Sequence, residues 1–305
     1  MDLDARVLVV GQCGWVGNAV ARRLWAAGFN HLTVVDRSMW GLARQATVDA
    51  LFAREQPQYV FLVAARDGDG GLRPDDAIRE GLAVQASVIH AAWRAGVRKL
   101  CFMASSAIYP TDALPPANEG ALLTAWLRPG NDSRSIVQIA GIRLCQVYRR
   151  QYRFDAVSLV PAMLYGHGDS EDAQSSRLAA LIKRLHEARV DAAREIHVGA
   201  LRSGEFLQVD DFADAALFVM REYSGEVPIN VGTGEPVTAD QLARLAAEVV
   251  GYRGRVVHSS DPAPAPRDFP DTRLHDMGWE PCMSLRQGLG QTYAWLLQRR
   301  AEMLA

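Results

Sequence analysis

The feature that most constrains the fold is the stretch at residues 6–17, where a short aliphatic run leads into three spaced glycines. The run Val7–Val10 is aliphatic throughout, which is typical of a strand buried on both faces of a parallel sheet. Gly11, Gly14 and Gly17 follow where such a strand turns into a helix. A pyrophosphate approaches the backbone only where side chains are absent, and the first N–H groups of a helix have no partner within it. The stretch therefore predicts a dinucleotide-binding turn rather than an ordinary tight turn.

The sequence after the glycines supports this interpretation. Apolar residues recur on one helical face over Val16–Leu24, and a second apolar run, His31–Val35, ends at Asp36. A carboxylate at the end of the second strand favours the free ribose hydroxyls of NAD and repels the 2′-phosphate of NADP. The neighbouring Arg37 is suited to accept that phosphate, or is an ordinary solvated charge. We expect an NAD(P)(H) cofactor, with NAD slightly favoured over NADP, and no metal.

Composition excludes several other classes of protein. The 305 residues carry 33 basic and 35 acidic side chains without a basic cluster, so nucleic acid is not an expected partner. No apolar run reaches the length of a membrane span and the first residues lack a signal-peptide pattern, which predicts a cytoplasmic protein without membrane contact. The four cysteines are far apart and predict neither a zinc site nor disulfides. The chain has two lysines, Lys99 and Lys183.

Helical and strand patterns alternate along the chain after the glycine turn. We predict strands at 59–64, 99–105, 155–161 and 229–231, helices at 45–54, 74–95, 132–151 and 211–223, and capping boxes at 238–241 and 284–287. Strands joined by helical crossovers pair in parallel, and ligands bind at their carboxyl ends. The expected fold is α/β, a Rossmann-like doubly wound parallel sheet with a smaller, interleaved C-terminal α/β substrate lobe. Residues 1–162 would form the dinucleotide-binding domain and 163–305 mostly the lobe, with 206–235 returning to the main sheet.

Five strings occur in the order typical of the extended short-chain dehydrogenase/reductases: Gly-x-x-Gly-x-x-Gly, Ser-Ser-x-x-Tyr-Pro, Leu-Tyr-Gly, Phe-Leu-x-Val-Asp-Asp and Asn-Val-Gly-x-Gly. Within that superfamily the chain resembles, from end to end, the GDP-L-fucose synthase branch, and the segments that carry the resemblance are 88–92, 102–110, 139–145, 148–152, 186–188 and 223–225. The resemblance implies an NADPH-dependent 3,5-epimerase/4-reductase acting on GDP-4-keto-6-deoxymannose. It also implies a homodimer formed through the helices at about 74–95 and 131–151.

The sequence departs from this branch at its catalytic motif. In the family pattern Tyr-x-x-x-Lys, the tyrosine exchanges a proton with the carbonyl oxygen, while the lysine lowers the tyrosine pKa and holds the cofactor ribose. These two positions fall on Arg134 and Gln138. A guanidinium stays protonated at any working pH, and a neutral amide cannot shift a neighbouring pKa by charge. Ordinary Tyr/Lys-assisted ketoreduction is therefore not expected.

Other departures concern the substrate. The epimerisation cysteine of the family falls on Ala107, whereas its partner histidine is matched by His186 and its active-site serine by Ser105. A family arginine falls on Gly204 and a family asparagine on Met163. Tyr109 and Tyr165, which belong to family strings, are expected to shape the site rather than to replace the missing tyrosine.

The candidate site residues fall into three groups. Those predicted to bind the cofactor are Gly11, Gly14, Trp15, Val16, Gly17, Asp36, Arg37, Ala64, Ala65, Gln138, Pro161 and Leu164. Those predicted to contact the substrate are Ser106, Met163, Lys183 and Arg267. The candidate catalytic residues are His186, Ser105 and Arg134, where Arg134 is alternatively a surface arginine on a helix that has lost its catalytic role.

Two hypotheses about function follow. In the first, the protein acts on a nucleotide-activated sugar or related ligand by altered chemistry, an epimerase- or isomerase-type proton transfer with His186 as acid/base and Arg134 holding the enolate oxygen. In the second, it is a catalytically inactive dinucleotide- or ligand-binding protein that partners another enzyme. An ordinary GDP-L-fucose synthase is a third, less favoured, interpretation.

Overall fold

The computed structural model describes residues 1–11, 14–36, 41–63, 73–109, 132–168, 177–199, 201, 203–258 and 272–304. The strands are β1 Val7–Gly11, β2 Leu32–Asp36, β3 Tyr59–Val63, β4 Lys99–Met103, β5 Ala156–Pro161, β6 Met163–Tyr165, β7 Glu195–Val198, β8 Phe206–Gln208, β9 Ile229–Val231 and β10 Arg255–His258. The helices are α1 Gly14–Ala26, α2 Gln45–Glu55, α3 Pro74–Arg94, α4 Asp132–Tyr152, α5 Arg177–Val190, α6 Val209–Glu222, α7 Ala239–Val250, α8 Thr272–Asp276 and α9 Leu285–Leu304.

Six strands form a parallel sheet in the order β2-β1-β3-β4-β5-β9. All residues of β1, β4 and β5 are buried, as expected for strands covered by helices on both faces. The crossover direction reverses between β1 and β3, and in open α/β sheets the ligand crevice lies at such a point, outside the carboxyl ends of the strands. The predicted fold class is confirmed.

The C-terminal half contributes to both the main sheet and a second layer. Strand β9 pairs with β5, and α6 packs against α1 and the main core. By contrast, α5, α7 and α9 enclose a second hydrophobic cluster beside two small parallel sheets, β6-β8 and β7-β10. The chain thus passes from the lobe to the sheet and back. The domain boundary at residues 162 and 163 stays a prediction.

The predicted elements are present, most of them within one residue of the predicted bounds, and two boundaries differ by two residues. Strand β4 ends at Met103 rather than at 105, because a 3₁₀ turn begins at Ser106. Helix α6 begins at Val209 rather than at 211, because the Gln208 side chain caps it by accepting from the N–H groups of Asp210 and Asp211. Glutamine is not a usual N-cap residue, so the sequence gives no signal for this start.

Both predicted capping boxes are formed, at Thr238 with Gln241 and at Ser284 with Gln287. In the part of the chain that the structure describes, no helix combines the length and the apolar character needed to span a membrane.

Candidate dinucleotide and ligand site

The turn after β1 is shaped by the close approach of β1 and β3. Gly11 has φ +119°, and a Cβ placed on it would lie 2.3 Å from the carbonyl oxygen of Val63. Gly14, with φ +38°, then opens α1. A residue other than glycine cannot be accommodated at position 11 unless the end of β3 moves. At Gly11, therefore, no side chain covers the backbone at the point where the sheet topology places the ligand crevice.

Asp36 lies beside this turn. It is the last residue of β2, is half-buried, and its Oδ2 accepts from the N–H of Gly14 at 3.4 Å. The carboxylate is thus at the end of the second strand and next to the first turn of α1, where dinucleotide-binding folds carry the acid that binds a ribose. Its neighbour Arg37 lies outside the described residues, as do the predicted cofactor contacts Ala64 and Ala65 and the predicted substrate contact Arg267.

Trp15, Val16 and Gly17 form the first turn of α1 and are buried. The side chains of Trp15 and Val16 belong to the main hydrophobic core, and Trp15 is only 8% exposed. These residues therefore offer a ligand their backbone N–H groups, whereas their side chains hold the turn on the sheet.

Ser105 and Ser106 follow β4 and are half-buried at the same edge of the sheet. The carbonyl group of Ser105 accepts from the N–H of Ile108, and that of Ser106 accepts from the N–H of Tyr109. Tyr109 follows the 3₁₀ turn, is buried, and its hydroxyl donates to Oδ1 of Asn230 in β9 at 2.6 Å. This bond anchors the turn to β9, the edge strand of the sheet.

Helix α4 carries the two positions that match the family's catalytic pair. The backbone of Arg134 lies in its first turn, and the side chain of Arg134 is outside the described part of the chain. Gln138, one turn further on, is 2% exposed and packed inside the protein. The tyrosines of α4 are at its other end. Tyr148 and Tyr152 form an aromatic group with His90 and Trp93 of α3.

Neither lysine of the chain stands on α4. Lys99 begins β4, and its Nζ donates to the carbonyls of Val219, Met220 and Tyr223 at 2.9, 3.0 and 2.5 Å. These carbonyls lie at the C-terminal end of α6, where the partial negative charge of the helix dipole favours a cation. Burial lowers the pKa of Lys99. Lys183 lies on α5, half-buried, in the lobe.

His186 is also on α5, within the helices of the lobe. Its Nδ1 lies 2.8 Å from the hydroxyl of Tyr293 in α9. The same hydroxyl is 3.3 Å from Nη1 of Arg189, which also donates to the carbonyl of Val250 at the end of α7 at 2.7 Å. Burial, followed by the charges of Arg300 and Arg189, lowers the pKa of His186. The lowered pKa favours the neutral imidazole, and the described contacts join it to the lobe rather than to Ser105 or Ser106.

Met163 and Gly204, two positions at which the chain departs from the family, are in contact with each other. Met163 opens β6, next to Pro161 at the end of β5, and its N–H donates to the carbonyl of Glu205 at 3.1 Å. A Cβ on Gly204, which has φ +143°, would lie 2.9 Å from the Cε of Met163. The methionine thus fills the space into which a side chain at 204 would extend. Leu164 follows it and is half-buried.

Two buried acids, Glu205 and Asp211, were not among the candidate site residues, although Asp211 ends the string Phe-Leu-x-Val-Asp-Asp. Glu205 accepts from the N–H groups of Thr233 and Gly234 at 2.9 and 3.1 Å and so fixes the turn after β9. Asp211 accepts from the N–H groups of Cys282 and Met283, and burial raises its pKa. Burial and the charge of Asp211 in turn raise the pKa of Tyr165. The sequence signal that could have identified them is an acidic residue within an otherwise apolar string, because a buried acid needs hydrogen-bond partners.

A glycine turn at the topological switch point of a doubly wound sheet, with a carboxylate at the end of β2, is typical of dinucleotide-binding proteins with a Rossmann-like fold. The chain belongs to the NAD dependent epimerase/dehydratase family, whose model matches residues 7–232.

Its relatives include GDP-L-fucose synthases. The chain is 43% identical to GDP-L-fucose synthase 1 of Arabidopsis thaliana over 97% of this chain and 94% of that protein. It is 39% identical to GDP-L-fucose synthase of Escherichia coli over 97% of each. Among solved structures, it is similar to a GDP-D-glycero-L-gluco-heptose synthase of Campylobacter jejuni determined in the presence of NADPH. The TM-score is 0.88 and the identity 27%, over 97% of this chain and 99% of that one.

Proposed function

We propose that this protein binds a nicotinamide dinucleotide together with a nucleotide-activated sugar and does not reduce that sugar by the Tyr–Lys route. One observation carries the proposal: the chain has no lysine that can serve the site in the way the family motif requires. Lys99 is bound to the end of α6, and Lys183 stands on a helix of the lobe. At the motif position itself lies the buried amide of Gln138.

No tyrosine of α4 can replace the missing proton donor. Tyr148 is 14 residues beyond Arg134 on the same helix, which corresponds to roughly 21 Å along its axis. It is hydrogen-bonded to His90, and burial raises its pKa. A positioned general acid is worth about two to four orders of magnitude in rate, so its absence removes most of the help given to hydride transfer.

The residues of the glycine turn fit a dinucleotide. Gly11 leaves the backbone bare, the first turn of α1 presents N–H groups, and Asp36 stands at the ribose position. A bound nicotinamide would supply a site for hydride exchange. The residues that would hold the cofactor are Gly11, Gly14, Asp36 and the backbone of Trp15 and Val16.

The position of Asp36 supports NAD over NADP. Its carboxylate accepts from Gly14 and stands where a 2′-phosphate would bring a second negative charge. The Campylobacter relative was studied with NADPH, so this preference would distinguish the present chain from it. Titration with both oxidised and both reduced dinucleotides tests it, and a strong preference for NADPH would overturn it.

The ligand proposed for the crevice is a guanosine diphosphate sugar. The names of the relatives support this, since the Arabidopsis and Escherichia proteins are GDP-L-fucose synthases and the Campylobacter protein is a GDP-heptose synthase. The family pattern has an asparagine and an arginine at these two positions, so the apolar contact of Met163 with Gly204 would make this part of the crevice less polar than the pattern implies.

A proton transfer by His186 is the second candidate function. The lowered pKa of His186 and its contact with Tyr293 describe a neutral, oriented imidazole, which is the form that a general base needs. The His186→Ala variant tests it. Loss of an isomerisation seen with the unaltered protein would support this candidate, and unchanged turnover would remove it.

A homodimer through α3 and α4 is part of the proposal. Val147 and Tyr152 of α4 are 46% and 41% exposed, and Tyr152 stacks on Trp93 of α3 with ring centroids 4.2 Å apart. Exposed apolar side chains on a long helix would be covered in a contact between subunits.

The proposed function is tested by calorimetric titration with NAD, NADH, NADP, NADPH and GDP-mannose, followed by an assay of NADPH consumption with GDP-4-keto-6-deoxymannose. The expected result is binding of a dinucleotide and of a GDP sugar without consumption of the reduced cofactor. Absence of binding to every compound would refute the binding site, and rapid consumption would refute the loss of reduction.

A further inference from the structure

The short segment Tyr165–Gly168 connects the two hydrophobic cores of the protein. Tyr165 is buried in the core of the lobe, whereas Gly168 meets Trp15 of the main core. Gly166 and Gly168 have φ +136° and +90°, so the chain on both sides of His167 adopts backbone conformations that favour glycine.

Each residue after Tyr165 contacts a different element. A Cβ on Gly166 would lie 3.1 Å from Cγ1 of Val209, in the first turn of α6. A Cβ on Gly168 would lie 3.0 Å from the Cβ of Trp15, in the first turn of α1. The ring of His167 meets that of Trp295 in α9 edge to face, with centroids 5.2 Å apart and an interplanar angle of 88°.

Trp295 is itself held in place. It packs against the core of the lobe, and the guanidinium of Arg299 lies 5.4 Å from the centre of its ring. On the other side of the segment, Arg22 of α1 pairs with Asp210 of α6 at 2.6 Å. The contact between His167 and Trp295 therefore joins a fixed C-terminal helix to a segment that rests on the glycine turn.

We propose that Trp295 is a positioning residue for the dinucleotide. By holding His167, it keeps Gly168 against Trp15, and Trp15 carries one of the first backbone N–H groups of α1. Loss of the Trp295 ring would release the segment and let the first turn of α1 move, so that its N–H groups would no longer be preorganised for phosphates. This inference rests on the proposed dinucleotide site and goes beyond it, since it assigns control of that site to the C-terminal helix of the lobe.

The test is calorimetric titration of the full chain with NADH for three tryptophan variants. Trp295→Ala is expected to raise Kd by at least about tenfold, because an unrestrained turn binds less tightly. Trp295→Phe keeps a ring that His167 can meet and is expected to restore binding to within about threefold. Trp25→Ala is the matched control, because Trp25 is 57% exposed at the far end of α1, and it is expected to bind like the unaltered protein.

A second pair of variants covers the case in which Trp295→Ala does not fold. His167 is exposed, so His167→Ala is expected to fold and to weaken NADH binding, whereas His167→Phe, which keeps a ring, is expected to retain it. If the unaltered protein binds NADH and neither alanine variant weakens it, the inference is wrong while the dinucleotide site stands. If the phenylalanine variants bind as poorly as the alanine variants, the ring contact is not the cause and the inference is equally wrong. If the unaltered protein binds no dinucleotide, the proposed function itself fails.

Discussion

At the scale of single residues, Lys99 shows why the identity of a residue does not reveal its role. The chain has only two lysines, and the Nζ of Lys99 donates to three carbonyls at the C-terminal end of α6. This cation at a helix C-terminus is structural. The same residue type at the motif position would hold a ribose, and the chain has the buried Gln138 there instead.

The role of Lys99 is tested by Lys99→Met. The substitution leaves the carbonyls of Val219, Met220 and Tyr223 without their charged donor, which should lower the free energy of unfolding by about 1 to 3 kcal/mol. Urea unfolding measures the difference. Lys183→Met is the matched control, because Lys183 is only half-buried, and we expect it to change stability by less than about 0.5 kcal/mol. Equal effects of the two substitutions would argue against the assignment.

His186 gives stability a dependence on pH. Its pKa in the folded protein is lowered, so the unfolded chain binds more protons in the window between that value and the ordinary value of about 6.5. The free energy of unfolding should therefore fall as the pH decreases through this window and be fully retained above it. His167 has a lowered pKa as well and acts in the same direction.

Urea unfolding at pH 7.5 and pH 5.5, values chosen to bracket the window of about pH 5 to 8 in which histidines titrate, measures this dependence. The His186→Gln variant removes one titrating group and should show a smaller loss on acidification. An identical loss in the variant would show that His186 does not contribute.

At the scale of elements, the unit formed by β1, the glycine turn and α1 was predictable from sequence, because every part of it is local. A buried strand, a bare turn and an amphipathic helix follow one another within Val7–Ala26. What the sequence could not show is how near β3 comes to β1, since Val63 is 52 positions beyond Gly11.

This proximity predicts the effect of Gly11→Ala. The added Cβ would meet the Val63 carbonyl at 2.3 Å and the backbone would be strained at φ +119°, so the variant should be destabilised and should bind no dinucleotide. Thermal unfolding and NADH titration check both effects. Gly290→Ala in α9 is the control, because nothing lies within 4 Å of its Cβ position, and alanine there should stabilise the helix by about 0.5 to 1 kcal/mol. A Gly11→Ala variant that is as stable as the unaltered protein would contradict the account.

The candidate site was less predictable than the fold, for reasons visible in two contacts. Met163 of β6 contacts Gly204, which lies 41 positions further along the chain. Neither a methionine nor a glycine predicts from the sequence which residue it will contact. The partner of His186, Tyr293, is 107 positions away on a helix whose packing is set by the tertiary structure. Motif matching assigned His186 a catalytic role, and that role stays a prediction because the described contacts of His186 lie in the lobe.

At the scale of the whole molecule, the exposed apolar side chains of α4 lead us to expect a homodimer through α3 and α4. Val147→Glu would place a charge in the contact of each subunit, and burial of an unpaired charge is strongly unfavourable. Light scattering should give twice the mass of one chain for the unaltered protein and the mass of one chain for this variant. Val190→Glu is the control, because Val190 is 66% exposed on α5, and it should remain a dimer. A monomeric unaltered protein would refute the prediction.

We propose that a dinucleotide and a GDP sugar bind in the crevice between the sheet and the lobe, and that reduction by the Tyr–Lys route is absent. The most direct measurement is NADPH and NADH consumption in a single turnover with GDP-4-keto-6-deoxymannose, at concentrations for which calorimetry shows both sites to be filled. We expect the reduced dinucleotide to bind and to be consumed no faster than without protein. Consumption of a full equivalent at a rate well above that background would contradict it.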